Sequence, residues 1–405
     1  MLRVVLLSQY FPPEVGATQI RMQTFAEYLA ARGHQVTVIC EFPNHPKGVI
    51  PPEYRGRLLE DDRSNPYRIL RVWVKSNPEK TRSTRLAFYL SYMALATAVA
   101  PLTGRADVVL ATTPPLFVGA AGLAVARLKR APFVLDVRDL WPAAAVALDE
   151  LSGGAALRMA EALERWLYRQ ASVVIGVTRP FCDHIDQVRG TDPRAVFIPN
   201  GTLDLFFANG TSEGRRRLGV PENHFVVTFA GTHGIAQALP AVLDAAARVN
   251  GEIHFAFIGE GPVKAALQRA AAERGLRNVI FRPQLPLEHV PPILAASDAL
   301  LVPMAADPVF LSFIPSKLFD YMATGRPVVL SARGESTNIL ERAGGGIAVE
   351  PENPEALASA VNWLAQHPRQ AREMGENGRR SARNWSRLVQ AERMEQVLLH
   401  VRGKV

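Results

Sequence analysis

Residues Pro315-Ser-Lys-Leu-Phe-Asp-Tyr-Met-Ala-Thr-Gly-Arg-Pro-Val-Val329 contain the pattern that decides the fold. They predict a turn, a short helix that carries Lys317 and Asp320, a glycine stop at Gly325, and a buried strand. A helix that begins at the carboxyl end of a parallel sheet presents free backbone N–H groups and the positive end of its dipole, which suits a phosphate. A carboxylate one turn further on can accept hydrogen bonds from sugar or ribose hydroxyls. The segment therefore predicts a site for a diphosphate beside hydroxyls, the chemistry of a nucleotide-sugar.

Strands and helices alternate along the chain on both sides of this segment. The strands predicted in the first half are Arg3–Gln9, Gln35–Ile39, Ile69–Val74, Asp107–Ala111, Phe133–Asp136 and Ser172–Val177. Those predicted in the second half are Phe225–Ala230, His254–Gly259, Val279–Arg282, Ala299–Val302, Pro327–Leu330 and Ile347–Val349. This alternation predicts an α/β protein with two doubly wound, Rossmann-like parallel-sheet domains that face each other across a cleft, and ligands of such sheets bind outside the carboxyl ends of the strands.

The segment Pro199–Ser212 is rich in turn formers and is predicted to link the two halves. We expect one domain over residues 1–199 and a second over residues 200–385. The remaining residues, 386–405, predict a helix whose apolar side chains must pack on something, and the N-terminal domain is one option.

The amino-acid composition indicates which broad class of protein this chain belongs to. A chain of 405 residues with 48% hydrophobic and 21% charged residues is typical of a folded protein with well-buried cores. Two cysteines give no framework for disulfides, and Met1 leads directly into a strand without a signal-peptide pattern, so we expect a cytoplasmic protein. The net charge of +8 does not indicate nucleic-acid binding, because the basic residues lack interleaved stacking aromatics.

Residues 55–102 combine a basic segment with an apolar one. Nine Lys or Arg and four Asp or Glu lie between Arg55 and Arg85, and Leu86–Leu102 follows without a charge. Seventeen helical residues span about 25 Å, which is shorter than the ~30 Å hydrocarbon core of a bilayer. Two interpretations remain: a buried core helix, or a surface that dips into an anionic membrane beside Lys80, Arg82 and Arg85.

Polar and glycine-rich loops follow several strands. Gly16 follows a Pro-Pro turn and precedes a helix, where backbone can approach a ligand closely, although an ordinary connecting loop is equally compatible. Arg138 and Asp139 leave the fifth strand, either as site residues or as a structural salt bridge of Arg138 with Asp136 or Asp139. In the second half, His233 follows a glycine and can donate to a phosphate or cap a helix.

Several motifs of nucleotide-binding, hydrolytic and metal-dependent enzymes are absent from the sequence. The chain has no Walker A loop, no HExxH, no GxSxG and no Asp-x-Asp pair at a strand end. Gly259-Glu-Gly261-Pro begins like a dinucleotide fingerprint, but Lys264 occupies the position of its last glycine. The nine histidines lack metal-ligand spacing, so no metal centre is expected.

The order of these loops resembles the retaining glycosyltransferases of GT-B architecture, family 4, group 1. The resemblance covers essentially the whole chain and rests on these segments: Pro12-Pro-x-x-Gly16, Arg32-Gly-His-x-Val-x-Val38, Pro199-Asn-Gly201, Gly259-Glu-Gly-Pro262, Ala296-Ser-Asp298 and Gly325-Arg-Pro-Val-Val329. Arg138-Asp-Leu-Trp-Pro142 and Pro315-Ser-Lys317 look most like enzymes of bacterial surface polysaccharide assembly, including the aminosugar transferases of O-antigen and capsule.

The sequence departs from this family in its signature of two glutamates separated by seven residues. Asp320 falls on the second glutamate, whose implied role is to bind the ribose, and Ser312 falls on the first, which contacts the donor sugar. The family's Arg/Lys pair for the diphosphate is also missing, so we expect Lys317 or Arg138 to supply that charge.

The resemblance implies a metal-independent transfer of a sugar, an N-acetylated or deoxy aminosugar, from a UDP-sugar to a lipid-linked or glycan acceptor, with no cofactor. It implies that the first domain is the acceptor side and the second binds the donor, with the base near Pro283–Leu285. The alternatives are a UDP-sugar 2-epimerase of similar fold and a non-catalytic nucleotide-sugar-binding scaffold. The candidate catalytic residues are Lys317, Arg138 and Asp139, and the candidate donor-binding residues are Gly16, Thr232, His233, Gly261, Gln284, Ser316 and Asp320.

Overall fold

The computed structural model describes residues 1–45, 47–79, 81–142, 154–190, 193–207, 212–249 and 252–403. Lys80 and residues 208–211 of the predicted linker lie outside the described residues. The chain divides into two compact units, unit 1 (Met1–Asn200 with Leu388–Val405) and unit 2 (Gly201–Arg387). Each unit is an α/β domain built on a parallel or mostly parallel sheet, so the predicted fold class is confirmed.

Unit 1 contains an eight-stranded sheet in the order β3-β4-β2-β1-β5-β6-β7-β8. Its strands are β1 (Arg3–Leu7), β2 (Gln35–Glu41), β3 (Leu59–Asp62), β4 (Arg68–Val72), β5 (Val108–Thr113), β6 (Phe133–Val137), β7 (Val173–Gly176) and β8 (Val196–Phe197). Its helices before the crossover are α1 (Ala17–Ala31), α2 (Arg82–Ala98), α3 (Leu116–Lys129), α4 (Ala155–Gln170) and α5 (Arg179–Arg189). Helices α2 and α3 pack on one face of the sheet and α1 on the other, which is why the central strands are continuous apolar runs.

Unit 2 contains a six-stranded parallel sheet in the order β11-β10-β9-β12-β13-β14. Its strands are β9 (Phe225–Ala230), β10 (Ile253–Ile258), β11 (Val279–Arg282), β12 (Ala299–Pro303), β13 (Val328–Ser331) and β14 (Gly346–Val349). Its helices are α6 (Ser212–Leu218), α7 (Leu239–Ala246), α8 (Lys264–Glu273), α9 (Val290–Ala295), α10 (Ser316–Ala323), α11 (Glu335–Ala343), α12 (Pro354–Gln366) and α13 (Pro368–Ala382). Because β9 has β10 on one side and β12 on the other, the strand order reverses at β9, and such a switch point is where doubly wound sheets bind ligands.

The last helix, α14 (Arg387–Arg402), returns to unit 1. Its buried side chains Met394 and Leu398 join the apolar core that α1 covers. On the same helix, Glu395 Oε1 lies 2.8 Å from His34 Nε2, and His34 Nδ1 accepts a hydrogen bond from the backbone N–H of Leu2 at 2.9 Å. The final segment of the chain is thus part of the first folding unit.

Two strands were absent from the sequence prediction. Strand β3 reads Leu-Glu-Asp-Asp and pairs antiparallel with β4 at the sheet edge, where charged side chains are tolerated because they face water. Strand β8 has only two residues. Neither contains the run of apolar residues on which the other strands were predicted.

Helix α2 carries the apolar segment that had two interpretations. It buries Tyr92 and Ala96 in the core of unit 1, and the Tyr92 hydroxyl donates to the carbonyl oxygen of Ile39 at 2.8 Å. Leu86 and Leu90 are exposed by 48% and 38%. Among the described residues, no helix is long and apolar enough to cross a membrane.

Candidate functional site

A cavity of about 270 Å³ lies in unit 2 at the carboxyl end of its sheet. Its walls come from the loops that follow β9, β10 and β11, from the 3₁₀ turn Leu287–His289 and helix α9 before β12, and from the first turns of α10. The lining residues are Phe206, Ala230, Gly231, Thr232, Ile258, Gly259, Glu260, Gln284, Leu285, Leu287, Val290, Leu294, Lys317, Asp320 and Tyr321. Four of the predicted site residues, Thr232, Gln284, Lys317 and Asp320, are therefore brought together around one cavity.

Helix α10 is held so that one side faces this cavity. Leu318, Phe319 and Met322 are buried in the apolar core of unit 2. Tyr321 anchors the helix to the end of β9, because its hydroxyl accepts from the Ala230 N–H at 2.8 Å and donates to the Ala230 carbonyl oxygen at 3.0 Å. Lys317 and Asp320, three residues apart, consequently lie on the opposite, cavity-lining side. Ser316 is the first residue of the helix, where backbone N–H groups have no partner within the helix.

The ammonium of Lys317 has no anionic partner in the described part of the chain. Its Nζ lies 4.0 Å from the centroid of the Phe229 ring, a cation–π contact. Burial lowers the pKa of Lys317 to about 8, and the nearby Asp320 only partly opposes this. Gly231 makes room for the ammonium, since a Cβ at that position would lie 2.6 Å from Nζ.

Burial also disfavours the charged form of Asp320, but for this carboxylate it raises the pKa. Burial raises its pKa to about 6, against the hydrogen bond from Thr202 and the charges of Arg387 and Lys317. The Thr202 hydroxyl donates to Asp320 Oδ1 at 2.7 Å. Thr202 is fully buried and is a site residue that the sequence prediction missed.

The ring of His233 lies outside the cavity lining. It is completely buried among Phe229, Phe257 and Phe281, with ring centroids 5.8, 6.1 and 6.4 Å away. Burial lowers the pKa of His233 to about 4, so the ring is neutral near pH 7. Both ring nitrogens lack a hydrogen-bond partner among the described residues, whereas the backbone N–H donates to the carbonyl oxygen of Glu260 at 2.9 Å.

Gly261 also lies behind the cavity wall. Only glycine fits at position 261, because its φ is +159° and an added Cβ would lie 2.4 Å from the His233 carbonyl oxygen. The close approach of these two loop backbones fixes the wall that carries Thr232 and Glu260. Glu260 is itself paired with Lys264, whose Nζ lies 2.6 Å from its carboxylate.

The three predicted site residues of unit 1 lie in the loops after β1 and β6. The guanidinium of Arg138 donates to Thr112 Oγ1 at 2.7 Å, to the Pro114 carbonyl oxygen at 3.1 Å, and to the hydroxyl of Thr18 in the first turn of α1. Burial lowers the pKa of Arg138 to about 10, so it remains charged at neutral pH. Gly16 immediately precedes α1 in extended backbone, which any residue can adopt.

The suggested salt bridge between Arg138 and Asp136 is wrong. Arg21 occupies that carboxylate in a pair that is almost completely buried, with 2.8 Å between Nη2 and Oδ1. Asp139 has a pKa raised by burial, and its Oδ1 has no hydrogen-bond partner in the described residues. Arg138 therefore donates its hydrogen bonds to neutral oxygens, and the carboxylates of Asp136 and Asp139 favour its charged form without an ion pair in the described residues.

Comparisons with known proteins point to one class of enzyme. Residues 16–201 match the family model described as glycosyl transferase 4-like domain, and residues 224–367 match that of glycosyl transferases group 1. WcaI of Escherichia coli (strain K12), whose name assigns it to glycosyl transfer in colanic acid biosynthesis, is 26% identical over 393 residues, 93% of this chain and 96% of that protein. The D-rhamnosyltransferase WbpZ of Pseudomonas aeruginosa is 31% identical over 152 residues, 37% of this chain and 38% of that protein.

Solved structures share the fold. Sucrose-phosphate synthase from Thermosynechococcus elongatus superimposes with a TM-score of 0.76 at 19% identity, covering 99% of both chains. HepE of Anabaena, in a complex with UDP, superimposes with a TM-score of 0.75 at 17% identity, covering 98% of this chain and 100% of that one. At such identities these matches show the two-domain GT-B fold and no more.

Proposed function

We propose that this chain, which belongs to the group 1, family 4 glycosyltransferases of the GT-B fold, transfers a sugar from a UDP-sugar in bacterial surface polysaccharide synthesis. The acceptor is a lipid-linked saccharide or a glycan, and the sugar is an N-acetylated or deoxy aminosugar. The similarity to WcaI over nearly the whole chain supports the biological setting. The aminosugar assignment rests on the resemblance of Arg138–Pro142 and Pro315–Lys317 to aminosugar transferases.

One observation carries the proposal: Lys317 and Asp320 lie on the same side of a helix start, at the cavity where the strand order of the second sheet reverses. The free N–H groups of Ser316 and Lys317 and the Lys317 ammonium would bind the diphosphate. Asp320 would accept hydrogen bonds from the ribose, which is the role that the family motif gives this position. The apolar wall near Gln284 and Leu285 would pack against the base.

The proposed chemistry retains the anomeric configuration. The bond between the anomeric carbon and the diphosphate oxygen breaks, the acceptor hydroxyl oxygen bonds to that carbon from the same face, and its proton passes to the leaving diphosphate oxygen. Negative charge grows on the diphosphate in the transition state, so cations and N–H donors fixed around it lower the barrier. Lys317 or Arg138 would supply that charge without a metal. Arg138 and Asp139 are the candidate catalytic residues of unit 1, which we propose to be the acceptor-side domain.

We also propose that the protein associates peripherally with the cytoplasmic face of the inner membrane through residues 55–102. The exposed Leu86 and Leu90 on α2, together with the excess of basic residues before them, support this surface. Apolar side chains that enter the headgroup region, flanked by cations, favour anionic lipid.

A donor panel tests the proposal. The protein is mixed with UDP-, GDP- and dTDP-linked sugars, and thermal unfolding is followed with and without EDTA. A donor present at 100 times its Kd stabilises the fold by about 2.7 kcal/mol, so we expect a clear rise in Tm for UDP-sugars that EDTA does not abolish. Stabilisation by GDP- or dTDP-sugars alone would contradict the UDP assignment.

Product analysis separates the alternatives. UDP-N-acetylglucosamine is incubated with the protein in the absence of any acceptor. A transferase releases UDP slowly by donor hydrolysis, a 2-epimerase yields an epimeric sugar, and a scaffold leaves the donor unchanged. The last two results would each overturn the proposed transfer reaction.

A further inference from the structure

The chain enters unit 2 beside the carboxylate that is proposed to bind the ribose. Thr202, the second residue of unit 2, is fully buried. Its backbone is fixed by the segment that leaves the unit: the Thr202 N–H donates to the Trp385 carbonyl oxygen at 2.8 Å, and the Arg387 N–H donates to the Thr202 carbonyl oxygen at 2.8 Å. The entering and leaving segments thus form an isolated β-bridge between Thr202 and Ser386.

The Thr202 side chain is directed at Asp320. Its Oγ1 lies 2.7 Å from Asp320 Oδ1 and 3.3 Å from the carbonyl oxygen of Leu203. A threonine hydroxyl has one proton, and the shorter distance to an ionisable acceptor favours donation to the carboxylate. The backbone N–H of Leu203 also donates to Asp320. An ionised carboxylate has about four lone-pair sites, so about two remain for the hydroxyls of a ligand.

We propose that Thr202 is a positioning residue of the donor site, which orients the Asp320 carboxylate toward the ribose and links it to the bridged segments where the chain enters and leaves unit 2. The inference rests on the proposed function, since it assigns a role within the same nucleotide site. Thr202 itself does not line the cavity, so it acts through Asp320.

Thr202 also favours the ionised form of Asp320. The charged and titratable groups around this carboxylate are Lys317 and Tyr321 on its own helix, Arg387 at the start of α14, and Glu260 across the cavity. The hydrogen bond from Thr202 is the largest of the interactions that lower the pKa of Asp320 against burial. Removing the hydroxyl therefore raises that pKa above its present value of about 6 and leaves a larger neutral fraction near pH 7.

The experiment measures UDP binding by calorimetry between pH 5.5 and 8. The variants are Thr202→Val, which keeps the shape and removes the hydroxyl, and Thr202→Ser, which keeps the hydroxyl. We expect T202V to bind UDP about tenfold more weakly at pH 7, equivalent to ~1.4 kcal/mol. The loss of UDP affinity on acidification, the acid limb of the binding profile, should begin at a higher pH in T202V than in the wild type. T202S should remain within about twofold of the wild type.

Two controls isolate the role of the carboxylate. Thr228→Val removes another fully buried hydroxyl in unit 2, which bonds to Ser297 at 2.7 Å, and should leave UDP affinity unchanged. In an Asp320→Asn background the effect of T202V should vanish, because no carboxylate remains to be oriented or ionised. The terminal phosphate of UDP titrates near pH ~6 in every variant alike, so differences between variants report the protein group.

Equal UDP affinity and an equal acid limb in T202V and wild type would overturn the inference, as would a T228V loss as large as that of T202V. If T202V does not fold, Thr202→Ala in the presence and absence of Asp320→Asn gives the same comparison. A wild-type protein that binds no UDP at any pH would instead refute the proposed function itself, so the two failures are distinguishable.

Discussion

Replacing Lys317 by methionine tests the electrostatic basis of the site. Methionine keeps the length and apolar contacts of the stem and removes the ammonium that lies 4.0 Å from the Phe229 ring. No carboxylate among the described residues forms an ion pair with this ammonium. We therefore expect the ammonium to interact with the diphosphate of the donor. Its removal should lower kcat without lowering the free energy of unfolding.

The magnitude follows from the two opposing effects of burial. A pKa lowered from 10.5 to about 8 means that the folded site opposes charging of this amine by ~3 kcal/mol. Because the folded pKa lies below the unfolded one, this penalty is fully present below pH 8 and disappears as pH rises toward 10.5. The K317M variant removes the penalty and a cation–π contact worth ~0.5–2 kcal/mol, so its free energy of unfolding at pH 7 should be unchanged or higher by about 1–2 kcal/mol.

The catalytic effect has the opposite sign. Removing one preorganised donor from a developing anion costs ~10²–10³ in kcat, and we expect a loss in that range for K317M. In the wild type, kcat/KM should fall as pH rises through about 8, because the Lys317 ammonium of the free enzyme loses its proton there. K317M should be slow at all pH values and lack that alkaline limb.

The assay measures kcat/KM with a UDP-sugar donor from pH 6 to 10, and chemical unfolding of the same samples. Lys264→Met is the matched control, because the Lys264 ammonium is already paired with Glu260 at 2.6 Å, and its removal should change kcat/KM less than about fivefold. A K317M enzyme with nearly wild-type kcat/KM, or with the alkaline limb intact, would refute the assigned role. So would a large loss of stability at pH 7, because the activity loss would then have a structural cause.

Three further predictions concern other residues. Asp320→Asn should weaken UDP binding about tenfold or more in calorimetry, because hydrogen bonds to a charged group contribute ~1.5–3 kcal/mol, and an unaltered affinity would exclude the ribose role. Changing Leu86 and Leu90 together to Gln should reduce sedimentation with phosphatidylglycerol vesicles without lowering Tm; full vesicle binding would mean that this surface does not contact lipid. Arg21→Met should lower the free energy of unfolding by ~3–5 kcal/mol in urea, because it leaves the buried Asp136 carboxylate without its cation. A loss below 1 kcal/mol would contradict the stabilising role assigned to this buried pair.

The fold was predictable because its signal is local. Runs such as Val-Val-Leu-Leu in β1 and Phe-Ala-Phe-Ile in β10 are apolar at consecutive positions, which only a strand covered on both faces requires. Strand β3 escaped prediction because an edge strand stabilised by cross-strand charge pairs, such as Asp61 with Arg68 at 2.7 Å, has the composition of a loop.

The candidate site was predictable only where its residues share one helix. Lys317 and Asp320 are three positions apart, so helical periodicity alone brings them to the same side. Thr202 contacts Asp320 across 118 residues of sequence, and no local pattern reports such a contact. His233 shows the complementary limit: a loop sequence indicates which residues follow a strand, but not which side chain turns into the core, and here the ring packs among three phenylalanines.

Burial in this cavity favours the neutral forms of two groups, the Lys317 amine and the Asp320 carboxyl. Burial moves the pKa of Lys317 down to about 8 and that of Asp320 up to about 6, and no ion pair joins the two side chains. An anion without hydroxyls satisfies only Lys317, and a nucleoside without phosphate satisfies only Asp320. Under the proposed function, a nucleoside diphosphate would satisfy both, because its phosphates would raise the pKa of Lys317 and its ribose hydroxyls would lower that of Asp320 toward their ordinary values. We therefore expect the protein to bind the complete nucleotide more tightly than either part, because Lys317 and Asp320 lie on successive turns of α10, and we expect this preference whichever sugar the diphosphate carries.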